Sequence, residues 1–81
     1  MKTYHTHGRK PVLAETFTDA ARIFACREAR DLYGSSGDCR TCRMGSYSTD
    51  GSTAEFSAFI GRTRGNETTG HNVLFTVYKR N

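Results

Sequence analysis

Apolar residues recur at helical spacing between residues 17 and 33. This stretch contains no glycine or proline and is rich in alanine, a composition that favours a helix. Thr16 is a suitable N-cap with Asp19 three residues later, and Gly34 follows as the expected stop. At about 100° per residue, one apolar stripe is formed by Phe17, Ala21, Phe24, Ala25 and Leu32. Glu28 falls within that stripe, where we expect it either to mark the stripe's end or to pair with an arginine.

Short alternating or continuous apolar segments on both sides of this helix predict strands. Asp50-Gly51 is a hairpin-turn signal, and the polar stretch 64–70 predicts a long turn before the final strand. The predicted strands cover residues 3–7, 12–14, 39–47, 53–62 and 72–78, of which 12–14 is only a short extended stretch.

This order of elements predicts an α+β fold formed by residues 1–81 as a single domain. Hairpin-length connections favour antiparallel neighbours. We expect two layers, with one helix packed on a three- to four-stranded, mainly antiparallel sheet (β-α-β-β-β). The predicted core joins the helix to the second-last strand and contains Phe17, Phe24, Leu32, Phe56, Ala58 and Ile60.

Length and composition exclude several classes of protein. The chain has 81 residues, of which 36% are hydrophobic and 25% are charged, and its mean hydropathy is −0.64. It is too short for a two-domain enzyme. No apolar run approaches the ~20 residues of a membrane span, so we expect no membrane partner. Residues 1–7 contain no apolar segment of a secretory signal, so we expect a cytoplasmic location.

The charge balance is basic, with 12 Lys and Arg against 8 Asp and Glu, for a net charge of +4. Such a surface suits an acidic partner, either nucleic acid or an acidic protein face. We expect the helix to be internally balanced and the excess to lie on the sheet and at strand ends.

Cys39 and Cys42 form a C-x-x-C pair, the spacing of half a zinc site or of a redox pair. Residues three apart on a strand face opposite sides, and no second such pair exists, so we expect no metal and no cofactor. A disulfide from Cys26 to one of these two residues stays open. His5 and His7 have a spacing that metals use, but we expect both to be solvated.

The sequence also lacks the patterns of catalytic sites. Asp50, Glu55 and Glu67 show no paired-carboxylate arrangement, and the glycine-containing segment 65–70 lacks the lysine and following helix of a phosphate-binding loop. A domain this small has little room for a deep pocket. We therefore expect that the protein is not an enzyme.

The sheet face away from the helix is the predicted binding surface. Strand alternation places Arg43, Tyr47, Ser57, Phe59 and Tyr78 there. Arginine and aromatic residues dominate protein interfaces. The candidate partner-binding residues on this face and its rim are Arg40, Arg43, Tyr47, Phe59, Arg62, Arg64 and Tyr78. Aromatic residues among arginines also resemble single-stranded nucleic-acid platforms, so a small basic single-stranded nucleic-acid-binding protein is the alternative.

Several short segments occur in an order that resembles a known family. They are Thr3-Tyr4, Arg9-Lys10, Phe17-Thr18 leading into Ala20-Ala21, Phe56-Ser57-Ala58-Phe59, Asn66-Glu67-Thr68-Thr69-Gly70 and Phe75-Thr76-Val77-Tyr78. The chain resembles small phage-type anti-CRISPR proteins that inhibit type I CRISPR–Cas systems, and it is most similar to the type I-E group. The cysteines and the positive net charge are not part of that pattern.

The resemblance implies a non-enzymatic inhibitor that acts in the cytoplasm of a bacterial host cell. Such proteins bind stoichiometrically to a Cas protein, either the crRNA-guided surveillance complex (Cascade) or its nuclease-helicase, and block target DNA recognition or cleavage. We therefore expect a monomer or weak dimer whose partner is a Cas protein or a Cascade-type ribonucleoprotein complex, with possible nucleic-acid contact.

Overall fold

One antiparallel sheet and one long helix make up residues 1–80, the part of the chain that the computed structural model describes. The elements are β1 (Lys2–His5), β2 (Val12–Ala14), α1 (Phe17–Tyr33), a 3-10 turn (Gly34–Ser36), β3 (Asp38–Tyr47), β4 (Thr53–Arg64) and β5 (Glu67–Arg80). The five strands have the order β2-β1-β5-β4-β3, and every neighbouring pair is antiparallel. The predicted α+β class is confirmed, with a sheet slightly larger than predicted.

Helix α1 begins and ends where its sequence predicts. The Thr16 hydroxyl accepts a hydrogen bond from the backbone N–H of Asp19 at 3.1 Å, which satisfies one of the free donors of the first turn. At the other end Gly34 has a φ of 76° and donates its N–H to the carbonyl of Arg30. Glycine reaches that conformation without the steric cost that a side chain would add, so the helix stops there.

The face that α1 turns to the sheet differs from the predicted stripe at its C-terminal end. Leu32 is 55% exposed, so its predicted place in the core is wrong. Ala21, Ala25 and Ala29 are buried in steps of four, and Tyr33 packs against the same core. The helix therefore contacts the sheet through residues spaced four apart, which form an i, i+4 ridge. Residue 32 does not belong to this ridge and faces solvent.

The core between the layers is built from small helical residues and larger residues of the sheet. Four alanines of α1 are at most 1% exposed, and their size lets the helix axis lie close to β4. Among the predicted core residues, Phe17, Phe24, Phe56, Ala58 and Ile60 are all buried. The other buried members are Tyr4, Val12, Ala14, Ala54 and Val77.

The hairpin of β4 and β5 extends beyond the helix. Arg64 pairs with Glu67 across Gly65-Asn66, so the predicted long turn at 64–70 is wrong. Threonines in this segment pair across the two strands, as β-branched residues commonly do. Gly65 has a φ of 61°, which suits a two-residue hairpin turn. The hairpin accounts for part of the longest dimension of the structure, 43 Å.

Arg9 ties the β1–β2 connection to the helix. Its guanidinium donates to the carboxylates of both Glu28 and Asp31. The two hydrogen bonds, that to Asp31 first, raise the pKa of Arg9 above its ordinary value. Of the two expectations for Glu28, pairing with an arginine is the one observed. Glu28 and Asp31 both bind Arg9 and form no direct ion pair with the arginines of the helix itself.

At Gly61 the backbones of β4 and β5 lie too close together to leave room for a side chain. A Cβ at this position would overlap the carbonyl group of Thr69 on β5. We expect Gly61→Ala to lower the free energy of unfolding by about 2 kcal/mol. Gly45→Ala is the matched control, since its added Cβ would meet only the Glu55 carbonyl oxygen at 3.7 Å. Urea denaturation of both variants checks this, and equal losses would contradict it.

The Arg9 ion pairs should contribute measurably at low salt. We expect Arg9→Ala to cost about 1 kcal/mol of unfolding free energy, because it leaves Glu28 and Asp31 without a partner. The loss should shrink in 1 M salt, where the Debye length is about 3 Å. Lys10→Ala is the control, because this exposed neighbour forms no ion pair within residues 1–80. A loss of unfolding free energy that does not depend on salt would show that Arg9 acts through packing instead.

Candidate binding surface

The sheet face opposite α1 is not covered by any other element of residues 1–80, and we call it the open face. Cross-strand partners share a face, and residues alternate along a strand. Ala54, Phe56, Ala58 and Ile60 of β4 face the helix. The residues between them, together with their cross-strand partners, therefore lie on the opposite side of the sheet. The open face contains Thr3, His5, Leu13, Thr41, Arg43, Ser46, Thr53, Glu55, Ser57, Phe59, Asn72, Leu74, Thr76, Tyr78 and Arg80.

Leu74 is the most exposed apolar side chain of the open face. It lies on β5 and is 84% exposed. Strand β1 pairs with β5 only at residues 78–80, so the sheet at Leu74 consists of β5, β4 and β3. The cross-strand partner of Leu74 is Ser57 on β4, and the next partner in the same row is Arg43 on β3, so the row has its apolar side chain at one end and its charge at the other.

Arg43, Phe59 and Tyr78 lie on the open face, in agreement with the alternation of the sequence. The ring of Phe59 covers Gly70, because a Cβ added to that glycine would be 2.9 Å from two ring carbons. The ring of Tyr78 stacks on His5 with centroids 5.1 Å apart and an interplanar angle of 17°. Both rings are thus engaged within the sheet itself.

Tyr47 lies on the helix side, so its predicted place on the open face is wrong. It pairs with Ala54, and its ring meets Phe17 edge-on with centroids 5.4 Å apart. The cause is an irregularity between Met44 and Ser46, which adds one residue to β3. A β-bulge of this kind reverses the alternation beyond it.

The three remaining predicted residues, Arg40, Arg62 and Arg64, lie off the open face. Arg40 sits in a second irregularity of β3 and lines a cavity on the helix side. Arg62 and Arg64 share the orientation of Ile60, opposite Thr69 and Glu67, in the part of the hairpin beyond Gly61. Three of the seven candidates, Arg43, Phe59 and Tyr78, therefore share the open face, and the other four lie off it.

Charge on the open face is low. Its arginines are Arg43 and Arg80, and its one carboxylate, Glu55, accepts a hydrogen bond from the Ser46 hydroxyl at 3.0 Å. The ion pairs found within residues 1–80 both belong to Arg9. Most of the basic residues therefore lie off the open face.

Leu74 and Leu13 are the functional candidates that sequence reasoning missed. Leu13 is 63% exposed and lies on the same face, opposite Thr3. Leu74 is one of three consecutive apolar residues, and such a run does not reveal which side chains point outward. The register supplies the missing signal, because Leu74 pairs with Ser57 while its neighbours Val73 and Phe75 pair with Ala58 and Phe56.

Comparison with protein-family models, with curated proteins and with solved structures gives no match for this chain. Within residues 1–80, no group of three or more His, Cys, Asp or Glu side chains could hold a metal ion. No helix in the same residues combines the length and apolarity that crossing a membrane requires. Function therefore has to be inferred from the residues and the geometry of the surface.

Phe59 should matter for stability, and Leu74 should not. We expect Phe59→Ala to lower the free energy of unfolding by about 1–2 kcal/mol, because it uncovers Gly70 and removes a half-buried ring. Leu74→Ala should change it by less than about 0.5 kcal/mol, since the side chain is already in solvent. Thermal and urea denaturation measure both. Equal effects would show that Leu74 packs within the protein.

Proposed function

We propose that this protein is an anti-CRISPR inhibitor that binds a type I surveillance complex or its nuclease-helicase through the open face. The observation that carries the proposal is the exposure of Leu74 on β5, in one row with Ser57 and Arg43. The resemblance to type I anti-CRISPR proteins supports the identity of the partner. Binding is stoichiometric, and the protein performs no chemical step.

The composition of the open face favours a protein partner. Interfaces combine an apolar, desolvated centre with a polar rim, and arginine is common among their strongest contributors. Leu74 provides the apolar side chain of such a centre, and threonines, serines, Arg43 and Arg80 lie on the same face. The structure measures 43 × 21 × 20 Å, so its broad side has room for the ~800 Å² per partner of a standard interface.

The inhibition would be steric. An inhibitor of this size covers the part of the effector complex that receives target DNA or recruits the nuclease. Arg43 and Arg80 favour an acidic protein surface over a bare phosphate backbone, because only two arginines are present on this face and Glu55 opposes them. The basic residues off the open face remain available for contacts with the crRNA at the edge of the interface.

Single-stranded nucleic-acid binding is the second candidate, and Tyr78 beside Arg80 and Arg43 on one face favours it. Base-stacking platforms need aromatic faces that are free. Here the Phe59 ring covers Gly70 and the Tyr78 ring stacks on His5. A protein partner is therefore the stronger candidate. A gel shift with the isolated protein separates the two, since direct nucleic-acid binding would show a steep salt dependence.

The proposal is tested by capture of purified type I effector complexes on the immobilised protein. We expect Leu74→Asp and Arg43→Glu each to reduce retention at least about tenfold, because substitution of the few residues that dominate an interface costs about 2 kcal/mol or more. Both residues are exposed, so the variants should fold. Phage plaquing on hosts with an active type I system should fall in parallel, because these variants would no longer inhibit the host defence.

Leu32→Asp and Arg64→Glu are the matched controls, since they make the same changes at exposed positions off the open face. Both should retain wild-type binding. Retention of Leu74→Asp at the wild-type level would show that another surface binds. Absence of retention on every type I complex would remove the anti-CRISPR assignment itself.

A further inference from the structure

All three cysteines of the chain line one cavity between α1 and the edge strand β3. Cys26 comes from the helix. Cys39 and Cys42 share the helix side of β3, because the irregularity at Arg40 adds one residue between them, so the predicted opposite orientation is wrong. The Cys39 thiol donates to the carbonyl oxygen of Thr41 at 3.3 Å. All three are free thiols.

Arginines flank this thiol cluster. Arg22 and Arg40 line the same cavity as the cysteines, and Cys26 also lines an adjoining cavity with Arg22, Arg27 and Arg30. None of these four arginines forms an ion pair within residues 1–80, because Glu28 and Asp31 bind Arg9. Such a concentration of unpaired positive charge raises the local concentration of anions.

The two strand thiols differ from the helical one in their position. Burial raises the pKa of Cys39 to about 11 and also raises that of Cys42, so both are protonated at neutral pH. The thiolate, not the thiol, is the attacking species in disulfide exchange. Cys26 lines both of the cavities that the arginines flank, so an anion held in either cavity lies beside it.

We propose that Cys26 is a thiol–disulfide exchange site for anionic disulfides of low molecular weight, with Cys42 as the resolving thiol. The Cys26 thiolate attacks one sulfur of the disulfide, forms a mixed disulfide and releases one thiolate, which takes up a proton. Cys42 then loses its proton and attacks the Cys26 sulfur, and the second external thiol leaves. Two protein thiols are oxidised, and one external disulfide is reduced to two thiols.

A bridge from helix to strand is favoured over one within the strand. Neighbouring residues on the same face of one strand lie about 6.6 Å apart with parallel side chains, near the upper limit for a disulfide. Cys26 and Cys42 line the same cavity from the helix and from the strand, so a bridge between them would cross that cavity. Cys42 packs against both core clusters, which places it centrally under the helix. This site is independent of the proposed function and needs no partner.

The test is oxidation of the full-length protein by glutathione disulfide, which is anionic, and by cystamine, which is a cationic disulfide. We expect an intact mass lower by two hydrogen atoms, a Cys26–Cys42 peptide after proteolysis and one remaining free thiol. The rate ratio of anionic to cationic reagent should exceed about five in low salt. Arg22→Ala should lower this ratio, whereas Arg64→Ala, which removes an arginine of the hairpin, should not.

Cys26→Ser should prevent formation of the bridge, and Cys42→Ser should stop the reaction at the mixed disulfide on Cys26. This trapped adduct keeps the test decisive even if the bridge itself forms slowly. A bridge between Cys39 and Cys42 with Cys26 free would overturn the proposal. So would equal rates with both reagents, or the same loss of selectivity in Arg22→Ala and Arg64→Ala.

Discussion

The register between β3 and β4 determines which side chains of the edge strand share a surface. Two added residues, at the irregularities between Cys39 and Thr41 and between Met44 and Ser46, reset the alternation twice within one strand. Each reset moves the following side chains to the other face. Arg43 reaches the open face because of the first reset, and Tyr47 packs against Phe17 because of the second. The first reset places Cys39 and Cys42 side by side under the helix.

The presence of only one α-helix in residues 1–80 limits how much of the sheet is covered. Helix α1 presents mainly alanines to the sheet, which allows close contact but covers only one face. Six of the fifteen residues on the other face are threonine or serine, which tolerate solvent, and Leu74 is its most exposed apolar side chain. An isolated exposed leucine is common on protein surfaces. Leu74 differs from Leu32 in its place on the open face, in one row with Ser57 and Arg43.

The sequence was sufficient for local features and insufficient for those that depend on register. The cap at Thr16 and the stop at Gly34 fix the helix from neighbouring residues alone, so its bounds were predicted correctly. The course of the contact ridge depends on how the helix crosses the sheet, so Leu32 was misplaced. Polar threonines at 68 and 69 indicated a turn, but pairing with β4 outweighed local composition. Bulges leave no reliable pattern in a single sequence. They determine the sheet face on which Tyr47, Cys39 and Cys42 lie.

The open face and the thiol cluster share strand β3 but not a side chain. Arg43 follows Cys42 directly, yet one points to the open face and the other to the helix. Substitutions on either surface can therefore be made without altering the residues of the other. A bridge between Cys26 and Cys42 would join the helix to the edge strand, which otherwise pairs with only β4. Oxidation would then restrain the backbone that presents Arg43, so the two surfaces are chemically separate but mechanically connected through one strand.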